Sequence, residues 1–86
     1  MSELQDRFEQ AVADSKKLPQ RPDSETLLKL YALFKQASAG DAAGTRPAAM
    51  DFVACAKWDA WNGLRGTPAH EAMRRYVELI EDLKEG

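Results

Sequence analysis

The chain has 86 residues, a formal net charge of −2, 44% apolar and 30% charged side chains, and a single cysteine. That length suits one small domain, spanning 1–86, near the lower limit for a self-supporting core. The composition excludes an intramolecular disulfide, a zinc cluster and a generally basic nucleic-acid surface, and no stretch approaches the ~20 apolar residues of a membrane span.

Ser2-Glu3-Leu4-Gln5 fits a capping box that opens a first helix. Leu4, Phe8, Ala11, Val12, Ser15 and Leu18 then recur at helical spacing until Pro19 and Pro22 stop it. Asp23 or Ser24 caps a second helix that runs to about Ser38. Its apolar arc, from Leu27 and Leu28 through Leu30, Tyr31, Leu33, Phe34 and Ala37, is too wide for a single contact surface, so two surfaces are expected. A third helix is predicted over about Asp51 to Arg65, ended by Gly66. Thr67 and Pro68 then stand as N-cap and N1 of a fourth, whose stripe is Ala69, Ala72, Met73, Tyr76, Val77, Ile80 and Leu83.

The segment between helices two and three, AGDAAGTRPAAM, is too long for a tight hairpin. Twelve residues span up to ~40 Å, enough to run back along a ~22 Å helix. Helices two and three can therefore be parallel. The expected fold is all-α: a small four-helix bundle, up-down-down-up, with a long crossing loop.

Polar side chains stand on the apolar faces. Lys57 shares half of helix three with Trp58 and Trp61, and Lys35 follows Tyr31 by one turn. Lys16 flanks Val12, and Tyr76 is central to the last stripe. A lone lysine in such a place ordinarily snorkels, and a lone tyrosine ordinarily packs. Their coincidence suits an amphiphile with an anionic, aromatic head and a greasy tail. His70 and Cys55 have no expected partner for catalysis, and no metal site is expected.

YALFKQASAGD (31–41), Arg46-Pro47 and DFVACAKWDAWNGLRGT (51–67) resemble the acyl-CoA-binding protein family. The resemblance implies a non-enzymatic, cytoplasmic, monomeric carrier of medium- to long-chain fatty acyl-CoA esters. It implies no cofactor, no nucleic acid, and transient contact with acyl-CoA-using enzymes. Tyr31 and Lys35 would meet the nucleotide, Lys57 the ribose 3′-phosphate, and Lys16 and Tyr76 would complete the head-group site. Ala32, Leu33 and Phe34 fall in a ligand-associated segment, and Leu27, Leu28 and Val53 would line the acyl groove. Where the family often reads Phe-Lys-Gly-Lys-Ala-Lys-Trp, this chain has Phe52-Val53-Ala54-Cys55-Ala56-Lys57-Trp58, so two basic side chains are absent. The competing reading is a helical protein-interaction module without a small-molecule ligand, for which Pro19-Gln20-Arg21-Pro22 offers a minimal PxxP pattern.

Overall fold

The computed structural model describes residues 2–85. Among them are four helices and no strand: α1 (Glu3–Asp14), α2 (Ser24–Ala39), α3 (Phe52–Asn62) and α4 (Ala69–Lys84), with a 3-10 turn, Ser15–Lys17, extending α1.

Local chemistry accounts for most of the boundaries. The Ser2 hydroxyl accepts from the Gln5 N–H at 3.0 Å, and Glu3 and Asp6 place negative charge in the first turn of α1. Asp23, not Ser24, caps α2, accepting from Thr26 N–H at 2.8 Å. Gly40 follows the helix at φ +81°, a conformation in which any side chain is strained. Asp51 caps α3 through Ala54 N–H.

Two boundaries differ from expectation. Helix α3 ends at Asn62 rather than near Arg65, and residues 63–66 form turns. Arg65 is drawn away by the crossing loop, donating to the Ala42 carbonyl at 2.7 Å. Helix α4 has Pro68 as its N-cap, extended at ψ 149°, with no side-chain cap. Thr67 serves instead through its carbonyl, which accepts from Gln36 Nε2 at 2.9 Å.

The helices run up-down-down-up. α1 and α4 are parallel, tied by Arg7–Glu81 at 3.5 Å and Asp14–Lys84 at 2.8 Å. Phe8 meets Tyr76 edge-on at 5.2 Å. Ala72, Tyr76, Val77 and Ile80 of α4 share one core with Phe8 and Ala11 of α1 and Leu30, Leu33 and Ala37 of α2. α2 therefore has two sides: one packs on α4, the other carries α3. The wide apolar arc is the sequence form of that double duty. Ser15, at the join of α1 and the turn, satisfies its hydroxyl by donating to the Val12 carbonyl at 2.6 Å.

The crossing loop is fastened along its length. Gln36, 1% exposed, donates to both Asp41 Oδ1 and the Thr67 carbonyl, and Asp41 also accepts from Gly66 N–H. Trp61 Nε1 donates to the Gly40 carbonyl at 2.7 Å. Arg46 grips Asp59 with two bonds of 2.8 Å, and the buried Cys55 thiol donates toward the carbonyls of Pro47 and Ala48. These bonds hold the loop against α3 and leave the α2–α3 seam open on its other side.

Candidate functional site

Helix geometry builds the site. At about 100° per residue, Tyr31 and Lys35 share a shoulder of α2, and Lys57 and Trp61 share one of α3. Where the two shoulders meet, the side chains interleave. Lys57 Nζ lies 5.4 Å from the centre of the Tyr31 ring, and Lys35 Nζ lies 4.8 Å from the Trp61 ring. Moving four residues along α2 moves the contact four residues along α3. The helices are thus parallel and in register, as the long loop allows. Extending that register one turn toward the N-termini sets Leu27 opposite Val53.

The electrostatics of the seam follow from what the lysines lack. Neither ammonium forms an ion pair among the described residues. Each rests on a ring face, an attraction of ~0.5–1 kcal/mol at exposed sites. A hydrogen bond to a charged group is worth ~1.5–3 kcal/mol. An anion arriving at the seam therefore outcompetes the rings, and the lysines are held close without being neutralised.

The other expected residues are distributed as follows. Tyr76 is 4% exposed and belongs to the α1–α4 core. Through Phe8 it connects to Phe34, whose ring lies 6.1 Å from Phe8 and reaches the surface. Lys16 is exposed in the 3-10 turn and forms no ion pair among the described residues. Leu27 and Leu28 are half-buried, while Val53 is 66% exposed. Ala32 and Leu33 are buried on the opposite shoulder of α2 from Tyr31. With Leu28 they line a groove of about 640 Å³ between α2, α3 and α4.

Three features escaped sequence reasoning. Met50 and Phe52 are 90% and 80% exposed beside Val53, an apolar tip at the start of α3. The signal was present as apolar residues on both sides of the Asp51 cap. The two tryptophans divide their work: Trp61 anchors the loop and receives Lys35, whereas the Trp58 indole N–H is buried without an acceptor among the described residues. Gln36 is the hub of the loop, invisible without its distant partners.

Asp41 and Asp59 are held below the ordinary carboxylate range. Gly66 N–H and then Gln36 stabilise the Asp41 carboxylate, and Arg46 stabilises that of Asp59. Both groups belong to loop anchoring. The buried Cys55 thiol donates toward two backbone carbonyls, and among the described residues no cluster of His, Cys, Asp or Glu could hold a metal ion. The site can bind and orient an anionic amphiphile.

Comparison with known proteins agrees with this geometry. Residues 5–80 match the family described as Acyl CoA binding protein. The chain is 43% identical over 81 residues to an acyl-CoA-binding protein homolog from Manduca sexta, covering 93% of this chain and 90% of that one. It is also 43% identical over 83 residues to enoyl-CoA delta isomerase 2 from Rattus norvegicus, where the match takes 96% of this chain but spans only 21% of that protein's length. The crystal structure of Oryza sativa Acyl-CoA-Binding Protein 2 superposes with a TM-score of 0.91 at 36% identity, covering 95% of this chain and 91% of that one. The chain belongs to the acyl-CoA-binding protein family.

Proposed function

We propose that this chain binds medium- to long-chain fatty acyl-CoA esters and buffers and carries them in the cytoplasm as a monomer, without chemistry of its own. The whole of 1–86 would act as one acyl-CoA-binding domain. The observation that carries this reading is the α2–α3 seam, where two unpaired ammonium groups on aromatic faces adjoin apolar side chains one turn away.

Lys57 would take the ribose 3′-phosphate and Lys35 the nucleotide phosphates, with Tyr31 offering its ring to adenine. Lys16 would add charge from the end of α1. Tyr76 would support the site from the core through Phe8 and Phe34. The acyl tail would run along Leu27, Leu28 and Val53, with Ala32 and Leu33 behind them. Each methylene withdrawn from water contributes about 0.8 kcal/mol, so affinity should rise with tail length. Of the two positions that lack the family's basic residues, Cys55 is buried beneath the loop and Val53 is open, so only Val53 bears on phosphate recognition.

No described helix is long and apolar enough to cross a membrane. The proposed partners are long-chain acyl-CoA and, transiently, the enzymes that use it. Native mass spectrometry of protein purified from cells tests the reading. A retained mass equal to an acyl-CoA supports it, and a bound polypeptide with no small molecule favours an interaction module.

A further inference from the structure

The 640 Å³ groove opens mainly on the far side of α2 from the lysine seam, with Leu28 on the boundary between the two faces. Lys29 and Leu33, which line it, point about 160° around the helix from the midpoint of Tyr31 and Lys35. Its floor is apolar: Leu28, Leu33, Ala60, Leu64 and Leu79. Its rim carries four carboxylates, Glu25, Asp59, Glu78 and Asp82, against Lys29 and Arg75. Several of these are already engaged. Asp59 is held by Arg46, Glu78 by Arg74, and Arg75 by Glu71. Glu25 and Asp82 have no ion pair among the described residues. Because α2 and α4 are antiparallel, these two free carboxylates meet at one end of the groove, opposed only by Lys29.

We infer that this groove docks a cationic amphipathic helix of a partner protein. The sign of the free charge decides the class of occupant. Carboxylates at the mouth repel fatty acids and acyl-CoA and attract lysine or arginine flanking an apolar stripe. The dimensions agree. From Glu25 to Leu33 the groove follows α2 for about 12 Å, while side chains at i and i+7 of a docked helix are about 10.5 Å apart. A partner seated here would leave the lysine seam uncovered, so docking and acyl-CoA binding would coexist; that independence rests on the function proposed above.

The test uses the full chain, isotopically labelled, and an 18-residue peptide with leucines at i, i+3, i+4 and i+7 and lysines elsewhere. A matched peptide with glutamate for lysine is the control. The lysine peptide should shift amide resonances of Leu33, Gly63 and Leu79 and bind about tenfold tighter than its control. The double variant Glu25→Lys, Asp82→Lys changes exposed side chains only, should keep its helical circular dichroism, and should reverse the peptide preference. Saturating palmitoyl-CoA should leave peptide affinity unchanged within about twofold. Equal binding of both peptides, no effect of the charge reversal, or shifts confined to Tyr31 and Lys35 would overturn the inference. So would competition by palmitoyl-CoA, which would make the groove the acyl site, or a concentration-dependent dimer by sedimentation whose dissociation shifts the groove resonances. If calorimetry finds no palmitoyl-CoA binding, the function proposed above fails while the peptide titration still decides the groove.

Discussion

Val53→Lys should tighten acyl-CoA binding, and the structure bounds the gain. Val53 is two-thirds exposed and one turn before Lys57, so the introduced side chain displaces no packing and projects from the same face of α3. Its ammonium would stand ~6 Å from a phosphate held by Lys57. Two unit charges at that distance in water interact by about 0.7 kcal/mol, and a phosphate monoester carries about −1.5 to −2. Screening at physiological salt, with a Debye length of about 8 Å, roughly halves the attraction. Relief of the i,i+4 repulsion with Lys57 on binding adds ~0.2–0.5 kcal/mol. The net is about 1 kcal/mol or less, a tightening of up to ~5-fold. Calorimetry with palmitoyl-CoA and its 3′-dephospho analogue, at low and high salt, reads it. The gain should shrink with salt and largely vanish without the 3′-phosphate. An equal loss for both ligands would mean that the apolar contact of Val53 with the acyl tail outweighs any phosphate contact the lysine makes. An equal gain for both would mean that the 3′-phosphate is not at Lys57.

Lys57→Ala should weaken palmitoyl-CoA binding by ~1.5–3 kcal/mol and Tyr31→Ala by ~1–3, with unchanged helical circular dichroism; normal binding by either folded variant removes that residue from the site. Tyr76→Ala should cost ~3–5 kcal/mol of stability in urea denaturation, because the ring is nearly fully buried against Phe8, and a cost under 1 would contradict that packing. Asp41 has a lowered folded-state pKa, set first by Gly66 N–H and then by Gln36, so its contribution is complete above its ordinary value and is lost as pH falls through the lowered one. The stability gap between wild type and Asp41→Asn should therefore narrow as pH falls from about 5 toward 3; a gap that widens on acidification would refute the assignment.

Much of this was legible because caps and stops are local. Ser2 and Asp23, both legible as caps, bond to N–H groups three residues ahead, whereas the Asp51 cap of α3 and the positive-φ Gly40 after α2 emerge only in the structure. One loop length permitted the up-down-down-up course, which the structure adopts. The lysines and tyrosines were marked by standing on apolar faces and by matching a family motif. What was hidden depends on distant partners. Gln36 reads as an ordinary helical glutamine until Thr67, 31 residues on, arrives beside it. The end of α3 moved because Arg65 binds a loop carbonyl 23 residues back. The groove needs three helices at once, and Leu28, Ala32 and Leu33 could be counted as apolar but not assigned to one of α2's two sides.

The central claim is that one seam reads a charged head and an apolar tail together. Titration calorimetry of this chain against palmitoyl-CoA, CoA and palmitate tests it most directly. The account predicts tight binding of palmitoyl-CoA, with CoA and palmitate each far weaker because each lacks half of the contacts. Palmitate binding as tightly as palmitoyl-CoA would contradict it, because the lysines would then contribute nothing to recognition.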